Sequence, residues 1–190
     1  MGSADHSDNK PVYRAFRHCP QCGSSLGSND VSPRRLVCAH CDQTVYFNQA
    51  SAVAALIRNP DGHVLFLRRE RSPAKGKLCF PGGFIDPGES AEDAIARETN
   101  EEVNLEITAC RYLCSFPNNY AYRGIVYPVT DLFFVAEVAS FNTLTPEKSE
   151  VAEVEFRSLT QETKEQLAFP SLRAAVDCFL RDPTFKTSLD

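Results

Sequence analysis

The amino-acid sequence predicts a mixed α/β domain, α/β or α+β in class, behind a small cysteine-rich module, and three observations carry that prediction. Short apolar runs bounded by turn residues read as strands, such as residues 52–57 and 64–67 on either side of Asn59-Pro60-Asp61-Gly62. Residues 91–103 and 172–180 contain no Gly or Pro and read as helices. Two C-x2-C pairs, Cys19/Cys22 and Cys38/Cys41, stand ahead of all of these.

Taken in order, residues 1–14 read as a loose tail, 15–47 as the cysteine module, 48–182 as the main domain and 183–190 as a second tail. The chain has 190 residues with 43% hydrophobic content, enough for an ordinary core once the module is set aside. The runs at 52–57 and 64–67 are expected to pair as a hairpin. Pro81-Gly82-Gly83 and Asp86-Pro87-Gly88 then force a tight loop, because proline removes a donor and glycine favours positive φ. Ser90 followed by Asp93 is an S-x-x-[DE] cap, so a helix starts there. Ala94, Ile95 and the methyl of Thr99 share its core face, and Asn104 can end it in the left-handed conformation. Further strands are expected at 107–116, at 126–138 around Leu132-Phe133-Phe134-Val135, and at 154–159. Leu172, Ala175, Val176 and Phe179 line one side of a closing helix.

Each C-x2-C pair can turn two thiolates onto one ion, and four thiolates make a closed tetrahedral zinc site of structural type. Gly23 permits the tight turn after the first pair. His40 is a competing ligand, but the symmetry of the pairs favours Cys19, Cys22, Cys38 and Cys41; His18 is a bystander. Cys79, Cys110, Cys114 and Cys178 show no pairing pattern and read as small buried hydrophobes. Thiolate ligands beside unpaired cysteines point to a reducing compartment, by default the cytoplasm. Residues 1–9 carry no apolar leader, and no segment is long enough to span a bilayer. With 20 basic against 25 acidic residues, net charge gives a polyanionic ligand no help. Arg14, Arg17, Arg34 and Arg35 form no long basic stripe, which argues against nucleic acid as a partner.

Glu98, Glu101 and Glu102 are spaced i, i+3, i+4 on the predicted helix, so their carboxylates share one face. Each like-charge pair costs roughly a few tenths of a kcal/mol in an isolated helix. A hard divalent cation offsets that cost, since Mg²⁺ is commonly held by one or two carboxylates together with substrate phosphates. Arg97, adjacent to Glu98 and four residues before Glu101, can hold one carboxylate in place. A solvated acidic face explains E-x-x-E-E by itself; the Gly-rich turn, the cap and the Arg-Glu pair together favour a metal site.

Gly83, Glu89, Arg97, Glu98, Glu101, Glu102 and Leu105 match the pattern G-x5-E-x7-R-E-U-x-E-E-x-G-U, and the chain thereby resembles the Nudix hydrolases over roughly residues 50–180. Thr99 stands in place of a bulky aliphatic and Asn104 in place of Gly. The resemblance implies an α/β/α sandwich with a mixed sheet, and hydrolysis of a nucleoside diphosphate linked to a group X with Mg²⁺ or Mn²⁺. It also implies roles: Glu98 and Glu102 as principal metal ligands, Glu101 as further ligand or base, the Gly82 carbonyl as another ligand, and Glu89 and Arg97 as orienting groups. A late carboxylate assists in some relatives, and Glu150 aligns best, with Glu147 and Glu153 as alternatives.

A zinc ribbon ahead of such a domain is similar to the NADH pyrophosphatase group. By that resemblance Tyr46 and Phe84 are substrate contacts, with Tyr120, Tyr122 and Arg123 as further candidates. The Ser-Gln-Pro-Trp-Pro-Phe-Pro signature of NADH preference is absent, and the chain has no Trp. ADP-ribose, FAD or a related dinucleotide is therefore the expected substrate. A nucleotide-sensing regulator and a hydrolase of NAD-capped RNA ends are the alternatives. The ribbon's task stays open among substrate contact, fold support and a subunit contact in a homodimer.

Overall fold

The computed structural model describes residues 9–185, and these fall into two compact units. The first takes the chain up to Ala50 together with Asn119–Val129; the second takes Ser51–Asn118 and the chain from Thr130 onward.

In the first unit, β1 (Lys10–Pro11) leads into a 3-10 turn at Val12–Ala15, and β2 (Arg35–Val37) and β3 (Thr44–Tyr46) form an antiparallel pair. Leu36, Cys19 and Cys38 are buried at its centre, walled by Phe16, Leu26, Val45 and Phe47. So small a core cannot hold the unit by burial alone. Of the expected tail at 1–14, residues 1–8 lie outside the described residues, while Lys10 and Pro11 pair in parallel with Ile125 and Val126. That pairing uses backbone groups, which leave no mark in the side-chain pattern.

The other elements are β4 (Ala50–Ile57), β5 (Val64–Arg69), β6 (Leu78–Cys79), α1 (Ala91–Val103), β7 (Ile107–Tyr122), β8 (Ile125–Val138), β9 (Val151–Arg157), α2 (Gln161–Gln166) and α3 (Pro170–Arg181), and the second unit holds all of them except Ala50 and the β7–β8 tip at Asn119–Val129. β8 pairs with β4 and with β7, and β5 lies between β6 and β9 with antiparallel neighbours on both sides. Strand alternation gives the sheets two apolar faces. Leu56, Phe66, Phe133 and Val135 turn to the face covered by Leu172, Ala175, Val176 and Phe179 of α3. Ala55, Ile57, Leu65, Leu67 and Phe134 turn to the face covered by Ala94, Ile95 and Val103 of α1. Helix, sheet and helix layers result, as the family resemblance implies. No described helix is long and apolar enough to cross a membrane.

Several elements differ from expectation. β4 and β5 do not pair as the expected hairpin: an isolated Arg58–Val64 bridge closes the turn, and each strand then joins a different sheet, β4 beside β8 and β5 between β6 and β9. β7 runs on to Tyr122 because Arg123 and Gly124, both at positive φ (48° and 79°), form the tight turn that suits a twisted hairpin. β9 begins at Val151, where it pairs with Arg69 past a bulge. α2 has no apolar period to reveal it; the Thr160 side chain caps it by accepting from the Thr163 N–H. Residues 183–185 of the expected second tail form a 3-10 turn, and residues 186–190 lie outside the described residues.

The start and end of α1 follow the local chemistry read from the sequence. Ser90 Oγ accepts from the Asp93 N–H at 3.1 Å, and Asn104 adopts φ 54°. Asn104 also donates from its amide to the Thr143 carbonyl at 3.0 Å, a bond glycine could not make. Thr99 is fully buried and its hydroxyl has no hydrogen-bond partner among the described residues. An unsatisfied buried hydroxyl costs about 1–3 kcal/mol. Thr99→Val, nearly isosteric, is therefore expected to raise unfolding stability by about 1 kcal/mol, read as a higher midpoint in urea with unchanged slope.

Candidate metal centre and active site

α1 presents its acidic face to the loop 81–85, and β4 positions that loop through main-chain bonds. The Val53 N–H donates to the Gly83 carbonyl at 2.8 Å, Ala55 to Pro81 at 2.9 Å, and Ile85 to Ser51 at 3.0 Å. Pro81 and Gly83 thus turn their carbonyls to β4, and these bonds leave the carbonyl of Gly82 between them unused. Gly82 sits at φ 146°, and a Cβ there would lie 2.1 Å from the Val53 carbonyl oxygen. At Gly83 a Cβ would fall 2.4 Å from the Glu98 carboxylate. Two glycines therefore let the loop and the carboxylates meet.

Arg97 organises the acidic side chains. It donates to both oxygens of Glu89 (2.8 and 2.9 Å), to Glu98 (2.9 Å), to Glu101 (3.2 Å) and to the Phe84 carbonyl (3.1 Å). All five of its N–H donors are engaged. Glu89 is fixed in turn by the Asp86 N–H at 3.0 Å, and Arg97 holds its carboxyl below the usual range. Lysine cannot reproduce this fork. Arg97→Lys is expected to weaken activation by Mg²⁺ or Mn²⁺ about 10- to 100-fold, read as the metal concentration needed for half-maximal activity.

Glu102 lies on the other side of the cluster. Its carboxylate accepts from the Gly82 N–H at 2.8 Å. Burial pushes its carboxyl up to about 8, and the like charges of Glu98 and Glu150 add to this against the Gly82 bond. Burial raises Glu98 as well, against the pull of Arg97. Glu101, with 61% of its side chain exposed, is more open than Glu98. The three carboxylates and the Gly82 carbonyl are all hard oxygen donors of the kind Mg²⁺ and Mn²⁺ take.

The three late glutamates are distinguished by their partners. Glu147 turns its carboxylate onto the Ser149 N–H (3.0 Å), and Glu153 pairs with Arg68 at 3.6 Å. Glu150 is bonded to Arg71 at 2.9 Å, its carbonyl accepts from the Glu70 N–H at 2.9 Å, and its charge acts on both Glu98 and Glu102. Sequence reasoning missed Arg71 and also Arg69, whose charge acts on Glu102. Their signal is the Arg68-Arg69-Glu70-Arg71 run where β5 ends.

The four thiols of the first unit come together with all ligand atoms within 4.8 Å of one another. The Cys19–Cys41 and Cys22–Cys38 sulfur separations are both 3.7 Å. Tetrahedral zinc with bonds of about 2.3 Å needs sulfurs about 3.8 Å apart, so the cage fits that ion. Each pair is a knuckle closed by backbone bonds, Gly23 N–H to Cys19 and Asp42 N–H to Cys38, both 2.9 Å. Asp42 at φ 57° repeats the left-handed turn of Gly23 at 73°. His18 and His40 are not in the group.

The aromatic candidates are divided between the units. Phe84, 40% exposed, belongs to the second unit with the carboxylates. Tyr46, 63% exposed, is in the first, directly across from Arg35 in the β2–β3 pair. Tyr120, Tyr122 and Arg123 form the tip of the β7–β8 hairpin, where the Arg123 guanidinium lies 5.3 Å from the centre of the Tyr122 ring.

Comparison with known proteins bears on the family and the fold. The family model described as NUDIX domain matches residues 48–180. The NAD-capped RNA hydrolase NudC of Photorhabdus laumondii is 32% identical over 105 residues, covering 55% of this chain and 40% of that protein. That of Vibrio atlanticus is 28% identical over 151 residues, covering 78% and 52%. The chain thus spans between two fifths and about half the length of these curated relatives. A Nudix hydrolase from Nitrosomonas europaea superposes with TM-score 0.67 at 22% identity, covering 89% of this chain and 93% of that one. The Nudix domain of Shewanella oneidensis NrtR, solved in complex with ADP ribose, superposes with TM-score 0.56 at 24% identity, covering 69% and 86%. These two structures share the fold.

Proposed function

Because the chain belongs to the Nudix family, we propose that it hydrolyses the pyrophosphate bond of a nucleoside diphosphate linked to a group X, releasing AMP from adenosine substrates. The observation that carries this reading is Arg97, whose five donors hold Glu89, Glu98 and Glu101 beside the Gly82-Gly83 turn. Glu98, Glu102, Glu101 and the Gly82 carbonyl would hold Mg²⁺ or Mn²⁺. Such an ion screens the pyrophosphate and lowers the pKa of a bound water. Glu102 keeps one oxygen on the Gly82 N–H, which fixes its plane. Glu150, steadied by Arg71, is the late carboxylate proposed to orient the attacking water. Zinc in the four-cysteine cage has a structural role in this reading.

As substrate we favour ADP-ribose, FAD or a related dinucleotide, on the absence of Trp from the chain. Phe84 offers an aromatic face for adenine, and Tyr46, Tyr120, Tyr122 and Arg123 are the further candidates for substrate contact. A second reading takes a NAD-capped RNA end as the substrate, as the names of the NudC relatives suggest. Every carboxylate of the motif is present, which weighs against a sensor without turnover. Eight unbridged cysteines support a reducing, cytoplasmic setting.

Product analysis tests the reading with ADP-ribose, FAD, NADH, diadenosine polyphosphates and NAD-capped RNA, each with Mg²⁺ or Mn²⁺. AMP released from one of the free nucleotides, or NMN and 5′-phosphorylated RNA from the capped RNA, and lost in the Glu98→Gln/Glu102→Gln protein, supports the assignment and identifies the substrate. Nucleotide binding with no turnover would overturn it in favour of the sensor.

A further inference from the structure

We propose that the cysteine-ribbon unit carries a binding track for single-stranded nucleic acid, built from cations that the sequence scatters and the fold collects. Residues 9–50 contain five cations, Lys10, Arg14, Arg17, Arg34 and Arg35, against two carboxylates, Asp30 and Asp42. All five line two grooves of about 670 and 680 Å³ that meet at Pro33. Arg34 and Arg35 stand in one groove; Lys10, Arg14 and Arg17 stand in the other. Neither carboxylate lines either groove: Asp30 accepts from the Gly27 N–H at 2.6 Å, and Asp42 closes the second knuckle.

None of the five cations is in an ion pair among the described residues, and all five are exposed. Elsewhere in the chain Arg68, Arg71, Arg97 and Arg157 are paired with glutamates. Cations without acidic partners along one track repel one another, and a row of phosphates relieves that repulsion with release of counterions. Aromatic surface accompanies the charge. Tyr46 lies directly across the β2–β3 pair from Arg35, and Tyr13 lines the other groove with the Arg14 guanidinium 5.8 Å from its ring centre. A positive groove with interleaved aromatic rings is how proteins take single strands without reading sequence, the rings accepting bases and the cations following the backbone. An acidic polypeptide would use the charges but not the rings. An anionic membrane would need an amphipathic helix, and the helical structure of this unit's described residues is a 3-10 turn at Val12–Ala15.

Binding by this track is independent of the hydrolytic reading, because it is measured without turnover. The zinc-loaded full chain is titrated, without added Mg²⁺ or Mn²⁺, into a labelled single-stranded RNA of about a dozen nucleotides, and anisotropy is followed as salt is varied. Wild type is expected to bind with a steep salt dependence. Arg14→Gln/Arg17→Gln and, separately, Arg34→Gln/Arg35→Gln should each make the slope of log K against log salt shallower by about 1.4, at about 0.7 for each single-strand phosphate no longer neutralised. The Arg34→Lys/Arg35→Lys protein should keep most of the slope. Retention of zinc by each variant shows that the ribbon is folded. No binding by wild type at low salt, a slope unchanged in both glutamine variants, or equal affinity for polyglutamate or anionic lipid vesicles would each overturn the proposal.

Discussion

Replacing Glu98 and Glu102 together with glutamine is expected to lower kcat by about 10³-fold or more, about 4 kcal/mol of transition-state stabilisation, while the protein without divalent metal stays at least as stable as wild type. The two outcomes have one cause. Both carboxylates are held where burial disfavours their charge, and Glu150 adds a like charge to each. In the absence of a cation those charges cost folding free energy, so neutral amides remove a penalty while removing the proposed ligands. After Glu102→Gln the amide oxygen can still accept from the Gly82 N–H, which keeps the loop in register. Steady-state kinetics and thermal melting in chelator check the pair of effects. Loss of activity together with a large drop in melting temperature would instead make these glutamates parts of the fold.

The second large effect belongs to the cysteine cage. Binding free energies of structural zinc run to about 10–16 kcal/mol in small domains, and the ribbon's own core is Cys19, Leu36 and Cys38 with a rim of partly buried neighbours. Stripping zinc with a strong chelator, or replacing Cys38 with serine, is expected to abolish hydrogen-exchange protection over residues 16–47. Amides of β5 and α1 should keep theirs, since Phe66, Leu67, Ala94 and Ile95 are buried in cores that contain no ribbon residue. Exchange measured by mass spectrometry, beside metal content, separates this from global unfolding. Uniform loss of protection along the chain would mean that the zinc supports the entire fold.

The contrast between α1 and the rest of the site shows what a sequence exposes. Ser90 caps the helix, Asn104 ends it, and Glu98, Glu101 and Glu102 share its face, all governed by neighbours three or four residues away. Such rules are local and can be read from the residues alone. The choice among Glu147, Glu150 and Glu153 is not local, because it turns on Arg71, which lies 79 residues before Glu150. The same holds for the five cations of the ribbon, separated in the chain and collected only when β2, β3 and the segment after β1 take their places. The length of β7 is hidden by Pro117, and α2 by a polar sequence whose helix rests on the Thr160 cap. Thr99 is legible as a departure from the family pattern, but its unpartnered hydroxyl needs the packing around it.

The bonds that tie Val53, Ala55 and Ser51 to the loop 81–85 are all made by peptide groups. The position of the Gly82 carbonyl is consequently insulated from side-chain identity along β4: exchanging one apolar residue for another alters packing without moving the oxygen proposed as a metal ligand. Tolerance of that kind stops abruptly at two positions. At Gly82 a single added carbon meets the backbone of Val53 and Ala54, and at Gly83 it meets the Glu98 carboxylate, which could yield only by shifting from its place beside Arg97, so the site combines a permissive scaffold with one position closed by backbone and another that admits a side chain at the expense of the cluster.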